Sequence, residues 1–213
     1  MIYPATLDLR ILQNSTFRLQ LRVLQNVKAA RLNEVVANNA IPYFQLRAHN
    51  FTAGTKVVFL PAVQASAELP ALVTPSAVQL PDTLGANQIY FVNATGLTAN
   101  TFTVSATEGG SPITLDIAPG QDLFVAQPLN LTGYTIDSDI YGLLDNELVA
   151  SFTGSIPTPL DGVVELLLPA ATSLPLESGR YSYDTTLITP AAERYYWLQG
   201  TIQLDATRSR VPA

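Results

Sequence analysis

The 213-residue chain contains no cysteine. That excludes a disulfide framework and any thiolate metal site. Charge is also scarce, at 13% of residues, against about 25% in ordinary soluble domains. The polar surface must therefore be built largely from Thr, Ser, Asn and Gln. Such a surface suits subunits covered by neighbours, and many secreted β-proteins share it. Positive charge is scarcest of all, with eleven Lys and Arg against seventeen Asp and Glu and a net charge of −6. A phosphate-binding surface needs the opposite balance, so nucleic acid is excluded as an expected partner. Arg208 and Arg210 come nearest to a basic cluster, and two arginines near a terminus ordinarily carry no role. No apolar run reaches the roughly 18 residues that would span a bilayer as a helix, so no membrane partner is expected. The opening stretch, Met1 to Asp8, lacks the basic start and apolar core of a signal peptide. The expectation is a chain made in the cytoplasm.

Apolar residues make up 47% of the chain, enough for a real core in one large or two small domains. Their spacing is that of strands. Between Leu129 and Tyr141, a turn at Thr132-Gly133 leads into strict alternation. Tyr134, Ile136, Ser138 and Ile140 share one face, while Thr135, Asp137, Asp139 and Tyr141 share the other. Residues 5–30 read the same way. Leu7, Leu9 and Ile11 alternate with Asp8 and Arg10; Gln13-Asn14-Ser15 supplies turn chemistry; Phe17, Leu19, Leu21 and Val23 then alternate with Arg18, Gln20 and Arg22. A helix would need three- and four-residue spacing, which is absent.

The texture changes near Ala29. Ala29–Asn39 suggests one or two helical turns. Short β-like runs follow at Phe44–Ala48, Lys56–Leu60, Ile89–Asn93, Thr101–Ala106 and Leu123–Ala126. Pro and Gly breakers separate them. Residues 62–82 read as a long excursion, the kind of segment that often makes contacts. Regular strands return at Leu148–Phe152, Val163–Leu168, Arg180–Leu187 and Tyr195–Leu204. A connection over Pro169–Ser178 has room for one short helical turn. The outer segments thus supply about seven strands, the count of a small sandwich.

No catalytic motif stands out. His49 is the only histidine, and without partners it reads as an exposed loop residue rather than a base or ligand. Asp137 and Asp139, with Asp145 and Glu147 beyond, could hold Ca²⁺ or act as acid and base. Carboxylates at i and i+2 are also what an exposed strand face displays, and the calcium-loop spacing is missing. No metal and no cofactor are expected. The aromatic cluster Tyr181, Tyr183, Tyr195, Tyr196 and Trp197 has three readings: cross-strand packing, a subunit contact, or a sugar platform. Consecutive residues face opposite sides, so Tyr196 and a neighbour cannot both be core. These five, with Arg208 and Arg210, are the candidate interface residues. The uncharged ends, Met1–Ala5 and Val211–Ala213, could drape over neighbouring subunits.

In sequence order, the outer segments resemble a β-sandwich module of tailed-phage structural proteins, including the N-terminal domain of upper-baseplate proteins. The residues that carry the likeness begin with Asp8-Leu9 and Gln13–Phe17, then Leu129–Tyr134. Asp161–Leu168, Leu176–Asp184 and Gln199–Asp205 complete it. The middle resembles a second phage-associated module of tail and fibre proteins. Its markers are Ala53–Phe59, Leu80-Pro81, Gln88–Val92, Asn100–Ala106 and Gly109–Leu115. It departs from that pattern at residues 62–82. The resemblance implies an all-β fold, a discontinuous Ig-like β-sandwich (1–30 and 129–213) with an inserted small β-rich module (31–128). It further implies a non-enzymatic virion component, made in the host cytoplasm. The expected role is a baseplate or tail-fibre attachment adaptor, with other virion proteins as partners and symmetric copies in the particle. A capsid decoration protein and a host-directed carbohydrate-binding module are the alternatives.

Overall fold

The computed structural model describes residues 5–33, 43–60, 84–85, 88–114 and 122–206. The chain is all-β. Among the described residues, fourteen strands run in order: β1 Ala5–Thr6, β2 Leu9–Leu12, β3 Phe17–Arg22, β4 Leu24–Asn33, β5 Tyr43–Gln45, β6 Lys56–Leu60, β7 Ile89–Asn93, β8 Thr101–Ser105, β9 Asp122–Pro128, β10 Thr135–Gly142, β11 Leu148–Thr158, β12 Val163–Leu168, β13 Gly179–Ile188 and β14 Arg194–Asp205. One helical turn, α1 (Ala170–Ser173), lies in the connection after β12. The described residues divide into two compact units, one of residues 5–21 and 130–206 and the other of 22–33, 43–60, 84–114 and 122–129, less 86–87.

The first unit is a sandwich. Its strand path is β1-β14-β13-β10-β11-β12-β3, with β2 also on β14. The long β11 is what folds this path into two layers. Its first half, through Phe152, pairs with β10, and its second half, from Thr153, pairs with β12. Gly154 sits at the changeover. A Cβ there would overlap Ile136 of β10, so only glycine lets the strands cross so closely. The core gathers Ile140, Tyr183, Leu198 and Leu204 from one layer with Leu166 and Leu168 from the other. Phe152 lies at the bend, within ring contact of Phe17 and Tyr183 at 6.2 and 6.0 Å. The alternation read from sequence is realised: Leu9 and Ile11 are buried and Arg10 is exposed, while Ser138 and Ile140 are buried and Asp137 is exposed.

The N-terminal strands add an arrangement that alternation cannot show. Both β1 and β2 pair parallel to β14, whereas β14–β13, β13–β10, β10–β11 and β11–β12 pair antiparallel. The chain steps past β14 at Leu7-Asp8. There the Leu7 amide donates to the Gln199 carbonyl at 2.9 Å. The Asp8 carboxylate accepts from the Thr201 amide and hydroxyl at 2.9 and 2.8 Å. The Tyr183 hydroxyl donates to the Leu7 carbonyl at 2.6 Å. Gly200 faces this step, and any Cβ on it would overlap the Leu7 main chain. One glycine, one carboxylate and one phenol therefore hold the first strands on the last.

The second unit is a closed six-stranded barrel in the order β4-β5-β8-β7-β6-β9. Its interior holds Phe44, Val57, Phe59, Tyr90, Val92, Phe102, Leu123 and Val125, all buried. Phe44 is stacked between Phe59 and Phe102, with centroids 4.6 and 5.2 Å away. The five short β-like runs read from sequence correspond to β5–β9. The helical reading of Ala29–Asn39 is corrected here. Residues 29–33 continue β4, because Lys28, Ala29, Ala30 and Arg31 pair with β9 and bury Ala30 inside the barrel. Ladder pairing and one buried side chain outweigh the helix propensity of Ala29-Ala30-Arg31. Because β4 starts at Leu24, the sandwich segment ends at Leu21 rather than at residue 30. The remainder of that reading, 34–39, and the excursion at 62–82 lie outside the described residues.

Candidate interaction surface

The sequence-derived candidates do not converge. Tyr183 is 2% exposed, inside the sandwich core, and leaves the list of interface residues. Burial raises its phenol above the ordinary value, with the nearby Asp8 carboxylate adding to the effect. Tyr181 is half-buried, and its hydroxyl donates to the Glu177 carbonyl at 2.7 Å. Its phenol is also raised, by burial and then by Glu177. Trp197 packs against the core as the extra residue of a β-bulge: Leu198 faces Thr185, but Tyr196 faces Thr186. Tyr195 and Tyr196, which precede that bulge, are both exposed, at 43% and 60%. Tyr195 donates to the Glu193 carboxylate at 2.9 Å, which raises the phenol further. Arg208, Arg210, residues 1–4 and residues 211–213 lie outside the described residues, whereas Ala5 pairs with Leu198 in β1.

His49 is corrected as well. It is 4% exposed, not a surface loop residue. Its Nδ1 accepts from the Phe51 amide at 2.9 Å, and Nε2 lies 3.2 Å from the Thr101 carbonyl. The ring therefore carries its proton on Nε2 and donates it to Thr101. It stacks on Phe51 at 4.8 Å and meets Phe102 edge-on at 5.4 Å. The residue is an aromatic packing piece with both nitrogens occupied.

Asp137 and Asp139 do share the outer sheet face, but each has a structural partner. Asp137 accepts from Arg194 at 2.8 Å, and Asp139 from the Ser151 hydroxyl at 2.6 Å. A third carboxylate, Asp184, stands directly across from Asp139 on β13. Burial, then the Asp139 charge, raises the Asp184 carboxyl above its usual value. Burial raises the neighbouring Tyr141 phenol, with smaller contributions from Asp184 and Asp139. Among the described residues, no three His, Cys, Asp or Glu side chains come together as a metal-holding group.

The feature missed in the sequence lies at one end of the sandwich. β10 and β11 are joined by a tight loop closed by the Gly142 amide on the Glu147 carbonyl at 2.9 Å, with the Asp145 carboxylate accepting from the Glu147 amide at 3.1 Å. Asn146 takes the left-handed conformation that completes the turn, at φ 56°. This loop carries Leu143 and Leu144 at its tip. Leu144 is fully exposed, and Leu143, Leu148 and Val149 are open beside it. Below them runs a groove of about 440 Å³, walled by Leu143 and Val149 on one side and Pro175, Leu176 and Tyr181 on the other. Leu174 and Leu12 extend the apolar surface. Gln13 brings them to this end by donating to the Leu174 and Leu176 carbonyls at 3.0 and 2.7 Å. The signal was present in Gly142-Leu143-Leu144-Asp145-Asn146, where two leucines occupy a turn that polar residues normally fill.

No protein-family model matches the chain, and no curated protein matches it either.

Proposed function

We propose that this chain is a non-enzymatic structural component of a tailed-phage virion. It acts in the tail as a baseplate or fibre-attachment adaptor through protein–protein contacts. One observation carries the contact role: six large aliphatic side chains open at a single end of a sandwich whose core is otherwise well buried. Apolar patches of a few hundred Å² rimmed by polar residues often mark interaction sites. The virion setting is supported by the order of the sequence motifs that resemble phage modules. Low charge and abundant Thr, Asn and Gln suit surfaces matched by packing and neutral hydrogen bonds.

The test is made on purified particles. Mass spectrometry should find the chain in a fixed, symmetric copy number, and antibody labelling should place it on the tail. Label over the head would make it a decoration protein instead. Absence from the particles would overturn the virion reading. The exposed Tyr195 and Tyr196 are the residues that a carbohydrate-binding reading would use, and a glycan array decides that case.

A further inference from the structure

We infer that the apolar end of the sandwich is a contact between copies of this chain, with the Leu143-Leu144 loop tip of one copy seated in the groove of another. The inference deepens the reading of a symmetric building block by naming its self-association face.

Three observations carry it. The first is area. Leu12, Leu143, Leu144, Leu148, Val149 and Leu174 are between 39% and 102% exposed. Together they open on the order of 400 Å² of apolar surface, taking about 120 Å² for a fully exposed leucine side chain. A stable interface needs roughly 800 Å² from each partner, of which the central part is apolar. This patch supplies the centre, and the polar residues around the groove supply the rim.

The second is shape. A projecting leucine pair and a groove lined by Pro175, Leu176 and Tyr181 lie side by side on one face. The groove, at about 440 Å³, has ample room for one leucine side chain. A surface that bears both the knob and its socket is self-complementary, which a closed symmetric contact requires.

The third is charge. The same groove carries Asp145 and Glu177 beside Arg180, all exposed. Like signs would meet if this face docked on a uniformly charged partner. Against a second copy, Arg180 of one chain meets Glu177 or Asp145 of the other, in both directions across the contact.

The experiment measures molar mass by light scattering and sedimentation on the full chain over a range of concentrations. Wild type should form a closed oligomer. Leu144→Asp should raise the concentration for half-association by about 100-fold, the loss expected for a central apolar anchor made to face a charge. Leu144 is fully exposed, so the substitution leaves folding intact, which far-UV circular dichroism checks; Leu144→Ser is the milder companion. Arg180→Glu should weaken association by about tenfold, and adding Glu177→Arg should restore it. A wild-type chain that remains single at roughly 100 μM, a range that covers micromolar contacts, overturns the inference. So does an oligomer that Leu144→Asp leaves intact. Neither result touches the virion reading, which rests on the composition of particles.

Discussion

The two units bury apolar surface by different means. The barrel closes its strand order on itself and fills the interior with stacked rings. The sandwich remains an open path with edges at β1, β2 and β3, and holds its first strands by a three-residue device around Gly200. The difference shows at the surface. Ten large hydrophobic side chains are exposed among the described residues; nine belong to the sandwich, and Val27 alone to the barrel. A closed barrel has no free edges and satisfies its own ladder. The sandwich concentrates its uncovered apolar surface at one end, where a partner can use it.

The largest expected effect strikes the barrel. Phe102→Ala removes a ring that touches Phe44, Phe51 and His49, and should cost about 4 kcal/mol. Hydrogen exchange should show protection lost from β5 to β8 first, with the sandwich amides retained. Equal loss in both units would erase the contrast.

Next comes Gly200→Ala, which drives a Cβ into the Leu7 main chain. Overpacking against backbone should cost about 3 kcal/mol. The sign of success is loss of protection in β1 and β2, with barrel amides unchanged.

Tyr183→Phe is smaller. It deletes the hydroxyl that donates to the Leu7 carbonyl and should cost about 1 kcal/mol at neutral pH. It also changes the pH profile. The phenol is raised in the folded chain, so folding favours its neutral form. That contribution is complete below the unfolded value of about 10 and is lost as pH rises toward the folded one. Denaturant titrations above pH 10 should therefore find wild type losing stability more steeply than Tyr183→Phe.

The smallest effect concerns the opposed carboxylates. Asp184→Asn removes a like charge directly across from Asp139 and should stabilise the sandwich by about 0.5 kcal/mol. Added salt should shrink the gain, because both groups border solvent. A salt-independent change would mean that the Asp184 carboxyl acts through burial alone.

Much of the fold was legible in the residues. Period-two spacing placed β2, β3 and β10 and their inward faces, because a pleated strand alternates whatever it packs against. The breakers placed the short runs that became β5–β9. The misreadings share one cause. Ala29-Ala30-Arg31 favours a helix locally, and only the ladder with β9 makes it strand. His49 has polar chemistry, and only the Phe51 amide, the Thr101 carbonyl and two flanking rings make it interior. Tyr195-Tyr196-Trp197 obeys simple alternation on paper, but the bulge at Trp197 breaks it. The apolar end of the sandwich was half-legible. Two leucines in a turn are visible in the chain, whereas their meeting with Leu12, Leu174 and the Tyr181 groove is not.

The sequence by itself determined that the protein is all-β, that most of its strands alternate inside and outside, and that acidic residues outnumber basic ones. Those properties follow from local spacing and composition. The tertiary structure alone decided that six strands close into a barrel, that β1 and β2 run parallel beside β14, and that scattered leucines become one surface. Each of these depends on residues far apart in the chain being brought together, and the free energy of such pairs is absent from any single segment.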